Sequence, residues 1–189
     1  MQKKNESQNG TELLHAVAGD LYRLGAMQLG EGEITVNLVE RAIATAELPT
    51  CSEKASHSAR VSMAAAVIEY LSERDANALA APSGESGPPN CIGDDDLDAV
   101  GVSAQELEKL LSGPDRGHLR QWLEGLTVAE RTIFVLRAVG GLSTPEVAGL
   151  LALHGGKAAQ GWMTDAVRSV FRQALCSLAS QLLQDSSER

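Results

Sequence analysis

The chain has 189 residues and a net charge of −9, enough for one ordinary domain or two small ones. Aromatic residues make up only 3% of it. This disfavours a β-sandwich, whose strands draw on β-branched and aromatic side chains, and favours short helices packed through Ala and Leu. Residues 1–115 hold 8 Lys and Arg against 19 Asp and Glu, whereas residues 116–189 hold 8 against 6; a nucleic-acid binder usually shows a clearly basic face, and even the C-terminal part is only mildly basic.

In chain order, apolar spacing first predicts a helix from about Thr11 to Leu29, with Leu14, Val17, Leu21 and Leu24 on one face and Gly30-Glu31-Gly32 ending it. A second helix spans about Ile34 to Glu47, closed by Pro49, with Leu38, Val39, Ala42 and Ile43 inward. A third covers about Ala59 to Arg74, with Val61, Ala64, Ala65, Ile68 and Leu71 on one stripe. These form an N-terminal helical domain over residues 10–75. Residues 76–102 then read as a mobile acidic Pro/Gly/Ser linker, with breakers at Pro82, Gly84, Gly87, Pro88 and Pro89 and the run Asp94-Asp-Asp-Leu-Asp98.

A second helical domain occupies residues 103–185. Ser103-Ala-Gln-Glu106, Thr127-Val-Ala-Glu130 and Ser143-Thr-Pro-Glu146 are capping boxes, in which the hydroxyl caps backbone N–H groups and the glutamate reaches back. Gly113-Pro114 stops the first of these helices, and a short one follows with Leu119, Trp122 and Leu123 inward. The next runs to about Val139 before Gly140-Gly141. The one after buries Val147, Leu150 and Leu151 and ends at a Gly155-Gly156-Lys157 turn. Ala159, Met163, Ala166, Val170, Ala174 and Leu178 then recur at spacings of three and four, predicting one inward stripe on a helix from about Ala158 to Leu183. The fold class expected is all-α, two small helical domains with a helix-turn-helix in the second.

Cys51, Cys91 and Cys176 are far apart and odd in number. They show neither a disulfide framework nor zinc spacing, and predict reduced thiols. Lys3 and Lys4 lead into polar residues rather than an apolar signal core. No run approaches the roughly 18 apolar residues that span a bilayer. A cytoplasmic protein without a membrane segment is expected. His15, His57, His118 and His154 share no ligand spacing, and neither a P-loop nor a nucleophile elbow is present, so no metal, no cofactor and no enzymatic activity are predicted. The Asp94–Asp98 run lacks the glycine and terminal glutamate of a calcium loop, which leaves a solvated linker or an acidic segment that mimics DNA.

The C-terminal part resembles the −35-binding domain (region 4) of bacterial RNA polymerase sigma factors of the extracytoplasmic-function type. The matching residues are Leu126-Thr-Val-Ala-Glu-Arg131, Ile133-Phe-Val-Leu136 and Leu142-Ser-Thr-Pro-Glu146-Val-Ala148. The N-terminal part is similar to sigma region 2 through Asn37-Leu-Val-Glu40-Arg-Ala-Ile43, the place of a polymerase-docking element, and Arg60 to Leu71, the place of the −10-reading helix. The resemblance implies a transcription initiation protein that binds core RNA polymerase and directs it to promoter DNA, with an anti-sigma factor as a further partner. Its DNA-binding residues would be Lys157, Gln160, Trp162, Arg168 and Arg172, and its polymerase-binding residues Asn37, Glu40 and Arg41.

The chain departs from that pattern at its turn, which is longer by one residue. Gln160, Trp162 and Asp165 stand on the expected DNA face, where the family carries Arg or Lys. Phosphate contacts supply much of the affinity for DNA, and an aspartate is repelled by them. In the Arg60–Leu71 helix only Tyr70 could stack on a base. The alternative reading is therefore a degenerate sigma homologue that acts by binding a partner protein. Whichever reading holds, the plainer role for Trp162 is a residue at the edge of the helical core, and for Asn37 and Glu40 a solvated face. A one-component regulator ranks last, because the N-terminal domain offers no ligand chemistry.

Overall fold

Glycines, capping residues and apolar stripes divide this chain into helices, and the computed structural model describes residues 2–46, 52–81, 91–93 and 116–187. For residues 2–14, 52, 53, 116, 118 and 182–187 only the backbone is described. The helices are α1 (Gln2–Leu29), α2 (Glu33–Thr45), α3 (Ser52–Arg74), α4 (Arg116–Gly125), α5 (Val128–Phe134), α6 (Thr144–His154), α7 (Gly156–Ala159) and α8 (Thr164–Ser187). The fold is all-α, with no strand among the described residues. The Ser103 capping box, Gly113-Pro114, the Asp94–Asp98 run and Pro49 lie outside the described residues.

The chain forms two compact units, residues 1–67 and 68–189. In the first, α1 packs on α2, burying Val17, Leu21 and Leu24 of α1, Leu38, Val39 and Ala42 of α2, and Ala59, Met63, Ala64 and Val67 of α3. The reversal between α1 and α2 needs glycine: Gly30 and Gly32 have φ of 87° and 153°, conformations costly for a residue with a Cβ. Thr35 donates its hydroxyl proton to Gly30 O at 2.7 Å and so ties the turn to α2. Arg41 donates to Ala66 O at 3.1 Å, joining α2 to α3.

The second unit is built on α8, which packs against α5 and α6. Phe171, Val167, Ile133, Leu136, Leu142, Val147 and Leu151 are fully buried there. Trp122 of α4 meets Phe134 edge to face at 4.8 Å, a favoured aromatic geometry. Its indole N–H donates to Ser177 Oγ at 3.2 Å. Two of the three sequence-predicted capping boxes form. Thr127 N donates to Glu130 Oε2 at 2.9 Å while Glu130 N donates to Thr127 Oγ1 at 3.3 Å. Ser143 N donates to Glu146 Oε2 at 2.7 Å while Glu146 N donates to Ser143 Oγ at 3.4 Å.

The helix after Thr127 runs to Val139 as the sequence predicts, with residues Val135–Val139 widened into a π turn. Arg137 lies in that turn, buried, donating to Leu142 O at 2.7 Å with its guanidinium 5.0 Å from the Phe171 ring centre. Three local expectations are corrected. First, residues 76–81 are not a free linker. They form turns, with Asp75 Oδ1 accepting from Asn77 N at 2.9 Å, and they bury Leu79 within the second unit. The Pro/Gly breakers that suggested a linker begin only at Pro82.

The last two corrections concern the C-terminal helix and the cysteines. The predicted 158–183 helix is broken: α7 is a single turn, and α8 starts at Thr164. Gly161 weakens helix continuation, and Met163 lies outside the core at 69% exposure instead of on the inward stripe. Finally, Cys91 and Cys176 are not two separate thiols but a disulfide, with Cα atoms 5.8 Å apart, within the usual span for such a bond. The two residues are 85 positions apart, and no local spacing rule brings such a pair together.

Candidate nucleic-acid interface

The chemistry of the sequence-predicted interface depends on residues 154–172, from the end of α6 into α8. Gly155 ends α6, its N–H donating to Leu151 O at 2.9 Å. A Cβ at this position would sit 2.5 Å from Ala159 Cβ and 2.6 Å from Leu151 O. Gly156 follows with φ of 73°, in the left-handed region. The Gly-Gly pair thus folds the chain sharply into α7, and the turn lies where the sequence placed it.

The five predicted DNA-binding residues do not share one face. Lys157 and Gln160 are exposed. Trp162 is 3% exposed, and its indole N–H donates to Leu79 O at 2.8 Å. It cannot reach a base or a sugar from that position; as a DNA contact it is corrected. Arg172 is 8% exposed, a core-facing position that removes it from a phosphate surface. Arg168 is half-buried on α8 and is engaged within the chain. Asp165 lies exposed in the first turn of α8, where its carboxylate meets the positive end of the helix dipole.

The turn is covered by a segment the sequence assigned elsewhere. His154 Nδ1 and Glu69 Oε1 are 2.7 Å apart, and Ser72 donates its hydroxyl proton to His154 O at 3.3 Å. Ala81 N donates to Ala158 O at 3.3 Å. With the Trp162–Leu79 bond, these fasten the end of α3 and residues 75–81 to the 154–162 turn, all within the second unit. Glu69 and Tyr70 belong to the Arg60–Leu71 stretch that the sigma resemblance would use to read a −10 element, and Ser72 follows it directly. Glu69 and Ser72 are instead turned to internal bonding, and Tyr70 is half-buried. What remains exposed beside the turn is a mixture of Lys157, Gln160 and Asp165 with Leu153 and Met163, which are 77% and 69% exposed.

The predicted polymerase-binding residues lie on α2. Asn37, Glu40 and Arg41 are all exposed, and Ile34, at 47% exposure, falls on the same stripe as Asn37 and Arg41. The helix thus presents a mixed polar and apolar face, although Arg41 also serves α3 through Ala66.

Sequence reasoning missed Arg137, Leu79 and the Cys91–Cys176 pair. Arg137 follows an apolar run, Ile133 to Leu136, which was a readable sign of a buried charge; the other two depend on tertiary packing. Among the described residues no group of three or more His, Cys, Asp or Glu is placed to hold a metal ion, and no helix is long and apolar enough to cross a membrane. Comparison of the chain with known families, with characterised proteins and with solved structures gives no match.

Proposed function

We propose that this chain is a sigma-type protein that binds core RNA polymerase and whose C-terminal helices bind a partner protein instead of reading a promoter −35 element. The observation that carries this reading is the burial of Trp162 with its N–H on Leu79 O. It removes the largest side chain from the would-be recognition face and brings residues 75–81 against the turn. The burial of Arg172 points the same way, since each lost phosphate contact weakens DNA binding steeply at physiological salt. Exposed Leu153 and Met163 beside the turn supply the apolar contact that a protein partner uses and a phosphate backbone does not. An anti-sigma factor is a partner of that kind, and the reading places the protein in the cytoplasm with the polymerase. The mechanism is recognition without catalysis.

A second reading, a working sigma factor that directs polymerase to promoters, is favoured by exposed Lys157 and Gln160 at the turn. Pull-down of the full chain with core RNA polymerase, followed by fluorescence anisotropy of the complex on promoter-length DNA at physiological salt, separates the two. Polymerase binding without sequence-selective DNA binding supports the proposal. Selection of a defined −35/−10 sequence establishes the second reading. Failure to bind polymerase removes the sigma assignment from both.

A further inference from the structure

Cys91 and Cys176 are joined across 85 positions, yet they differ in surroundings. Cys91 is an exposed residue in the short bend 91–93, outside any helix. Cys176 is 8% exposed, on the inner side of α8 next to Ser177, which receives the Trp122 indole N–H. The second unit has its own apolar core in Phe171, Ile133, Leu136, Leu142 and Leu151. It does not resemble the small, disulfide-dense domains that need such bonds to compensate for a missing core. A single bond with one accessible end in a chain of three cysteines has the character of an exchangeable disulfide, because exposed disulfides are the ones thiols reduce readily.

We propose that Cys91 is a thiol-exchange site, at which a low-molecular-weight thiol opens the bond to Cys176 and unfastens residues 91–93 from α8. The thiolate of the small molecule attacks Cys91 Sγ, forming a mixed disulfide there. The Sγ–Sγ bond breaks, its electron pair leaves with Cys176, and that sulfur takes up a proton from water. A second small thiolate attacks the sulfur of the bound small molecule. Cys91 leaves as a thiolate and is protonated, and the two small thiols depart as their disulfide. The two electrons that reduce the protein come from those two thiols. Attack at Cys91 and not at Cys176 follows from exposure: Cys91 lies exposed in the bend, whereas Cys176 is 8% exposed on α8. The device makes the attachment of residues 91–93 to α8 depend on the thiol–disulfide balance around the protein. It stands independently of whether α8 serves DNA or a protein partner.

The test uses the full chain purified in air. Thiols are counted in denaturant without reductant, then the native protein is equilibrated across a series of reduced and oxidised glutathione, quenched with acid and analysed by mass after proteolysis. One free thiol at the start, rising to three as reduced glutathione increases, with a glutathione adduct mapped to Cys91 at intermediate ratios, supports the proposal. Cys91→Ser should then leave Cys176 free and abolish the transition, while Cys51→Ser should leave it unchanged. Three free thiols in the air-purified protein would overturn the proposal. So would a bond that stays closed across the glutathione series, or an adduct on Cys176 in place of Cys91.

Discussion

Trp162 is the residue on which the two functional readings diverge most sharply. Its indole fills the space beside Leu79 and satisfies that residue's carbonyl. Trp162→Phe keeps a ring there but leaves a buried acceptor without its donor, a loss worth about 1 to 3 kcal/mol. We expect the variant to unfold at lower urea, followed by the remaining Trp122 fluorescence, with DNA affinity of the folded protein unchanged. A DNA-contacting tryptophan would give the opposite pattern. Gly25 poses a packing question of the same scale. A Cβ there would lie 2.6 Å from Met63 Cε and 2.8 Å from Thr35 Cγ2. The methionine can swing aside, but β-branched Thr35 is stiff and bonded to Gly30. Gly25→Ala should therefore cost about 1 kcal/mol, the low end of overpacking penalties, measured by far-UV circular dichroism in urea.

Among the elements, α6 and the turn after it were the most legible in the sequence. Ser143 and Glu146 specify where α6 starts, through bonds local enough that four residues decide them. Ser143→Ala should cost about 1 kcal/mol. Gly155→Ala should cost more, about 2 to 3 kcal/mol, because the new methyl meets the carbonyl of Leu151, which cannot rotate away as a side chain can. Thermal melting of both variants followed at 222 nm checks the ranking; a larger loss at Ser143 would mean that the turn relaxes freely. The start of α8 was less legible. A spacing of four between Ala159 and Met163 fits a continuous helix, but it fits equally two helices separated by a turn. Gly161 and the acidic first turn at Asp165 were the local signals for a break. The length of the apolar stripe masks them.

At the scale of the molecule, the disulfide joins residues 85 positions apart, as far in sequence as the His154–Glu69 contact. In the chain-entropy description, closing a loop of this length stabilises the folded state by about 4 to 5 kcal/mol. Both tryptophans, Trp122 and Trp162, belong to the second unit, so their fluorescence reports on that unit alone. Reduction of the native protein should move the fluorescence unfolding transition to lower denaturant by a large part of that amount, and the shift should vanish in Cys91→Ser. An unmoved transition would mean that the bond constrains nothing that unfolds with the tryptophans. The all-α class, the capping boxes, the Gly155-Gly156 turn and most helix interiors were determined by the sequence itself. They follow from capping chemistry, glycine dihedrals and the 3.6-residue period, all of which act within a few residues. Three things were decided only by tertiary structure: which way Trp162 faces, that residues 75–81 lie against the turn after α6, and that Cys91 meets Cys176. Each depends on which distant segment meets the 154–162 turn or α8, and spacing along the chain carries no record of that.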